Sequence, residues 1–289
     1  MDHVPAVVVP GNRMGLDIAR SLGRRGVPVY GIDPDPQALS GKSKYCHLVA
    51  SPDPEKSTEK YLRFLVDWGR NRGGKAVLYP LNDEMVLLCS REHSRLQPYF
   101  QYVMPDHTTL SGLSSKEGLA TAAQEWDIPT PNTVFPENAQ MVEAVAPALS
   151  YPVILKPIHS AYWHAPEIAS MLRENVLSGQ AKVRLCHDAA ELVQAYNAIA
   201  AYDDRLLIQE VIPGPDENLV YISFYMDRQS QPLALFAGRK PRTLPVGFGP
   251  ASFARSYRDP DLEHLALKLL SGVKYQGLGG LEFKRDSRD

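Results

Sequence analysis

Gly11-Asn-Arg-Met-Gly15 lies between the first apolar run and the first helical segment, and Asp33 closes the second apolar run. Glycines at a strand-to-helix turn let backbone approach a pyrophosphate, and an acid at the next strand end can take ribose hydroxyls, so the pattern offers a dinucleotide site. It is a single G-x-x-x-G without the three-glycine fingerprint, and a tight turn in a doubly wound domain without nicotinamide explains it better than a dinucleotide site does. The N–H groups of that helix start can still bind a carboxylate or phosphate, with Asn12 and Arg13 placed to help. Asn82-Asp83-Glu84 follows the strand ending at Leu81, on the edge where parallel sheets present ligands. Asp83 there either borders a substrate pocket or belongs to a helix cap. No Ser-His-Asp or Cys-His arrangement offers a nucleophile. His159 and His164, five apart in an irregular stretch, fix no metal geometry.

These residues need elements to hold them. Ala6 to Val9 reads as a buried strand, and Ile18, Ala19 and Leu22 give the next segment a helical face closed by Gly26. Strands at Pro28 to Ile32, Ala76 to Tyr79 and Tyr102 to Met104 alternate with helices at Glu55 to Arg72 and Asp83 to Leu96. Together they imply a doubly wound parallel sheet. The pattern breaks around Leu110 to Ser115, and a helix over Lys116 to Trp126 ends in Ile128-Pro-Thr-Pro131. A strand at Val153 to Lys156 follows, then a helix opened by Asp188-Ala-Ala-Glu191, whose ends can cap reciprocally. After a strand at Arg205 to Val211, the turn Pro213-Gly-Pro215 is the expected hinge. Leu219 to Met226 and Pro232 to Lys240 read as a hairpin around Asp227 to Gln231. A helix capped by Asp259 with Pro260 at its first position precedes a last strand over Leu278 to Lys284.

The chain has 289 residues, with 31 basic and 33 acidic side chains and a formal charge of -2. That length suits two or three modules, and that balance gives no broad field to recruit nucleic acid or an anionic membrane. No apolar stretch is long enough to cross a bilayer, and the N-terminal run meets no cleavage site. Cys46, Cys89 and Cys186 are too scattered for a metal site and read as reduced thiols, so a cytoplasmic protein is expected.

A second series is spread along the chain: Lys116 opening a helix, Lys156 ending a strand in Pro-Val-Ile-Leu-Lys-Pro157, Gln209-Glu-Val-Ile-Pro-Gly214, Lys240 in Ala237-Gly-Arg-Lys-Pro-Arg242, then Glu282 in Gly-Leu-Glu-Phe-Lys. A lysine at a strand end is ordinarily a solvated edge residue. In this order, over nearly the entire chain, the series resembles the ATP-grasp superfamily, specifically carboxylate-amine ligases of the D-aspartate ligase type. The resemblance implies an α/β protein: a Rossmann-like pre-ATP-grasp domain over 1–112, a linker helix and lid over 113–211, and an incomplete α+β ATP-grasp core over 212–289.

By the same resemblance ATP lies between lid and core. Lys116 and Lys156 neutralise its α- and β-phosphates, and Gln209, Glu210, Val211 and Ile212 form the adenine strand. Asp216, with Glu217 as the alternative, takes the ribose hydroxyls. Lys240 and Arg242 stabilise the transferring phosphoryl group, and Arg239 is expected on the opposite face by strand alternation. Glu282 holds Mg2+, for which the family uses a further Glu-x-Asn strand that this sequence does not contain, so a truncated ligase is expected. The segment after Lys156 carries no glycine where many relatives have a Gly-rich phosphate loop. His159, Ser160 and Tyr162 there either contact phosphate or pack on the lid.

The implied reaction is carboxylate attack on the γ-phosphate, giving an acyl phosphate that an amine converts to an amide. Small-molecule carboxylate and amine substrates and a homodimer are the partners the resemblance implies. Two alternatives stand beside it: a nucleotide-binding module without turnover, and an NAD-dependent oxidoreductase using the first module.

Overall fold

The computed structural model describes residues 3–158, 183–244, 246–247 and 249–288. The chain divides into two compact units, Met1–Ser111 and Gly112–Asp289.

Five parallel strands build the first unit: β1 (Ala6–Val9), β2 (Val29–Asp33), β3 (Cys46–Ala50), β4 (Ala76–Pro80) and β5 (Phe100–Gln101), in the order β3-β2-β1-β4-β5. β1 is central and all four of its residues are buried, which is why it reads as an unbroken apolar run rather than an alternating one. Val7, Val9, Ile32, Leu62, Leu65, Leu78 and Phe100 form one core, and Ala6, Val8, Ala19 and Val29 a second, smaller cluster.

Helices α1 (Arg13–Gly23), α2 (Thr58–Asn71) and α3 (Asp83–Arg91) start at Asn12, Ser57 and Asn82, whose side chains accept from Gly15, Lys60 and Met85 N–H groups. α2 therefore starts three residues after the expected Glu55, where Ser57 supplies the cap. The helix expected over Asp83 to Leu96 is interrupted at Glu92, and His93–Leu96 forms the separate turn α4. β5 lies just before the expected Tyr102 to Met104. Tyr102 and Met104 pack against the core outside the strand, and the Tyr102 hydroxyl donates to the Cys89 carbonyl. β3 was not expected; it is an edge strand with a mixed burial pattern and little apolar alternation. Leu110 to Ser114, read as a break, belongs to helix α5 (His107–Ser114).

The second unit holds α6 (Lys116–Glu125), β6 (Thr133–Val134), α7 (Ala139–Val145), β7 (Val153–Pro157), β8 (Arg184–Cys186), α8 (Ala189–Ala200) and β9 (Leu206–Glu210). The four strands pair antiparallel in the order β6-β9-β7-β8, and Val153, Leu155, Leu206 and Ile208 pack with Val142, Leu192, Tyr196 and Ile199 of α7 and α8. At the start of α8 Asp188 accepts from the Glu191 N–H. Glu191 reaches back to the His187 N–H, one residue before the position of a standard capping box.

A further antiparallel sheet follows: β10 (Leu219–Met226), β11 (Pro232–Thr243), β12 (Ala251–Ser256) and β13 (Gly277–Lys284), in the order β12-β11-β10-β13. Helix α9 (Pro260–Gly272), capped by Asp259, covers one face through Leu262 and Ala266 against Val220, Ile222 and Ala237. The other face carries Tyr221, Ser223, Tyr225, Phe236, Lys240 and Glu282 by strand alternation. At Gly272 a side chain would meet the Trp126 ring at 2.2 Å, a close approach that only glycine allows. No helix among the described residues is long and apolar enough to cross a membrane.

Candidate nucleotide site

Four elements of the second unit deliver the charged residues. Ser115 caps α6 by accepting from the Gly118 N–H at 2.9 Å, which fixes Lys116 at the first helical position. The Lys116 ammonium donates to the Pro157 and Ile158 carbonyls at 2.7 and 3.1 Å, and so sits over the end of β7. Lys156 precedes that end. Its ammonium donates to Gln209 Oε1 at 2.8 Å, and Gln209 Nε2 donates to Thr133 Oγ1 at 2.9 Å, making a polar line across β7, β9 and β6.

Two lysines are thus held close together, one of them largely withdrawn from water. Burial first, then repulsion from Lys116, pushes the Lys156 ammonium down to about 8, against a partial pull upward from Glu282. Two ammonium groups held this close gain from an anion that approaches both of them.

Glu282 reaches the same region from β13. It pairs with the Lys240 ammonium across β10, where Tyr221 stands opposite both Gly238 and Glu282. The Glu282 side chain is 52% exposed, whereas that of Lys240 is 15%. Mg2+ bound together with phosphates takes one or two protein carboxylates, and Glu282 fits as one. Among the described residues no group of three His, Cys, Asp or Glu side chains stands ready to hold a metal alone.

Other expected residues are placed differently. β11 pairs Arg239 with Arg255 and Arg242 with Phe253, so three steps along β11 match two along β12. This bulge shifts the alternation and groups Arg242 with Arg239 rather than with Lys240. Arg242 is exposed, and this register sets it on the opposite pleat from Lys240. Arg239 itself lies over the Tyr257 ring at 3.6 Å, on the α9 side. Asp216 is also redirected: its carboxylate accepts from the Thr243 N–H, the Thr243 hydroxyl and the Gly247 N–H, tying the hinge turn to the end of β11. In this geometry it anchors a loop, and Glu217 is the exposed acid of the pair.

On β9 the Glu210 carboxylate accepts from the Asn132 N–H and side chain, and its own N–H donates to the Asn132 carbonyl. Val211 donates to the Pro152 carbonyl at 3.3 Å. Proline has no N–H to return, so the ladder ends with the Val211 carbonyl and the following Ile212 at its margin. Those are backbone groups suited to reading a base edge. Thr133, Asn132 and Thr243 were not singled out from sequence, because the contacts that tie them to Gln209, Glu210 and Asp216 each span more than 20 residues.

The glycine turn of the first unit is closed on itself. The Gly11 N–H donates to Asp33 Oδ2 at 2.8 Å, the Asp35 N–H donates to Oδ1 at 2.8 Å, and Asp33 is buried. A side chain at Gly11 would meet Ser40 Oγ at 2.6 Å. The amide and the acid that a dinucleotide would need are used by each other. Asn12 accepts from the Gly15 N–H as a helix cap, while Arg13 and Asp83 are exposed at the starts of α1 and α3. Cys46, Cys89 and Cys186 are free thiols, and burial pushes each of them up. His159, Ser160, Tyr162 and His164 lie outside the described residues, as do Pro245 and Phe248 of the segment after Arg242.

A parallel-sheet unit followed by two antiparallel sheets is the arrangement of the ATP-grasp fold. Solved structures agree. The L-amino acid ligase of Bacillus licheniformis superposes with a TM-score of 0.67 at 14% identity over 100% of this chain and 65% of its own. The biotin carboxylase domain of Hydrogenobacter thermophilus 2-oxoglutarate carboxylase, a dimer in complex with MgADP, ADP and bicarbonate, gives 0.62 at 16% identity over 99% and 62%. Among curated proteins the chain is similar to D-aspartate ligase of Enterococcus faecium (strain Aus0004), 22% identical over 264 residues. That match covers 88% of this chain and 61% of the relative. The chain thus spans about three fifths of the length of that ligase. No protein-family model matches it.

Proposed function

We propose that the second unit binds ATP and that the chain is the nucleotide-binding part of a carboxylate-amine ligase. The observation that carries this reading is the Lys116 and Lys156 pair, held together over the end of β7 with Lys156 depressed by burial. Phosphates restore full charge to Lys156 and remove the repulsion. Gln209 orients the Lys156 ammonium, the margin of β9 at Val211 and Ile212 reads adenine, and Glu217 or a released Asp216 takes the ribose. Lys240 faces the γ-phosphate and stabilises charge there during transfer.

The chemistry follows from these charges. A substrate carboxylate oxygen attacks the γ-phosphorus, the bond to the β,γ-bridging oxygen breaks, and ADP leaves an acyl phosphate. An amine then attacks the acyl carbon, loses a proton and expels inorganic phosphate. Glu282 would help to hold Mg2+, which would supply further neutralisation of the phosphate charge. The substrates are small carboxylates and amines, a reading supported by the similarity to a D-aspartate ligase and an L-amino acid ligase. A homodimer is the assembly we expect, and sedimentation of the chain tests it.

Calorimetry with a non-hydrolysable ATP analogue and Mg2+ tests the binding step. Micromolar binding by the wild type and its loss in Lys156→Ala is the expected result; equal affinity in both overturns the site assignment. A second reading is binding without turnover. Amine-dependent ADP release across a panel of carboxylates excludes that reading.

A further inference from the structure

On the open face of the β12-β11-β10-β13 sheet, the row Gly238, Tyr221, Glu282 is followed by the row Phe236, Ser223, Gly280, and then by Ala234, Tyr225, Leu278. The first of these rows touches the Lys240 and Glu282 pair. The next two carry almost no charge or bulk at their centre. A side chain built at Gly280 would meet only the Ile222 carbonyl, at 3.8 Å, among the described residues, so within them the surface above this glycine is open. Ser223 beside it is exposed and small. Around this floor stand larger apolar groups: Phe236 and Leu278 are 50% and 58% exposed, and Tyr221 contacts Phe236 with ring centroids 6.1 Å apart. The Tyr221 phenol lies flat on Gly238, where any side chain would come within 2.3 Å of its hydroxyl. Glycine at 238 therefore lets the ring turn toward Phe236, and glycine at 280 leaves the depression unfilled.

We propose that this depression receives the apolar side chain of an α-amino acid substrate whose charged end meets Lys240. The inference rests on the ligase reading and adds the substrate class. Continuity decides the occupant: the depression opens directly beside the cation and carboxylate assigned to phosphoryl transfer. Its walls of Tyr221, Phe236, Tyr225 and Leu278 offer apolar area, and among these four residues no cation stands ready for an acidic side chain. Apolar contact of this size discriminates by about tenfold or more between a large aliphatic or aromatic side chain and a methyl group.

Calorimetry with the full chain, with and without the ATP analogue and Mg2+, uses the L- and D-enantiomers of leucine, phenylalanine, alanine and aspartate as probes. Leucine or phenylalanine should bind at least tenfold more tightly than alanine or aspartate. Gly280→Val places its Cβ at ordinary contact distance from the Ile222 carbonyl and meets no other described residue there, so it should cost the large probes tenfold or more, with nucleotide affinity unchanged. Phe236→Ala, at a half-exposed position, should weaken the same probes and leave alanine unaffected. Preference for aspartate or alanine, no binding of leucine or phenylalanine in either condition, or unchanged affinity in both variants overturns the proposal. If the analogue does not bind while leucine does, the ATP reading fails and the pocket stands.

Discussion

The glycine turn after β1 and the lysine pair around β7 look similarly suited to phosphate in sequence, yet they are built in opposite ways. At the turn the buried acid and the cap have internal partners: Asp33 takes the Gly11 and Asp35 N–H groups, and Asn12 takes that of Gly15. Around β7 like charges are brought together instead, and burial works against the Lys156 charge. A group satisfied from within stabilises its own fold, whereas a cation held at electrostatic cost gains most from a ligand.

Several measurements can break this contrast. The largest effect is expected for Lys156→Met, which should weaken binding of the ATP analogue on the order of 100-fold or more. It should also raise the thermal midpoint, because a withdrawn ammonium is replaced by an apolar chain. A variant that binds normally, or that loses binding only by unfolding, would erase the distinction. Asp33→Ala should do the reverse, destabilising the first unit by about 2–4 kcal/mol as two N–H groups lose their acceptor, with nucleotide affinity intact in calorimetry.

The third effect is a pH dependence. Lys156 titrates near 8 in the folded chain, below the usual lysine value, so its ammonium disfavours folding fully below that pH. The penalty fades as pH rises toward about 10.4, the unfolded value, and the stability gain of Lys156→Met should narrow over the same window. Analogue affinity should move oppositely, falling by about tenfold from pH 7 to 9 as the protonated fraction drops. Near pH 8 binding should draw in a proton, seen as a heat that varies with the buffer's ionisation enthalpy. The smallest effect is expected for Asn12→Ala: about 1 kcal/mol of stability from the lost cap, and no change in nucleotide binding.

Much of the fold was legible because its signals are local. β1 announced itself as a buried run, Asn82 and Asp259 sit at helix starts with side chains that cap, and the turn from Asp227 to Gln231 separates two alternating strands. The edge strand β3 and the break at Glu92 were not legible, since pairing with β2 and tertiary packing decided them against weak local preference. Lys116, Lys156, Gln209, Lys240 and Glu282 could be picked out by type and order, because cations and an acid at strand and helix ends are visible in one dimension.

Their roles in space were not. Whether Asp33 faces a ligand or Gly11, whether Asp216 is open or tied to Thr243, and whether Arg242 shares a face with Lys240 depend on side-chain contacts and on one bulge residue in β11. The amino-acid sequence by itself determined which residues carry charge, where helices begin, and in what order the site's components follow one another. Tertiary structure alone decided which charges are neutralised from within and which remain set against each other. That outcome depends on register and desolvation, which arise only when distant segments pack.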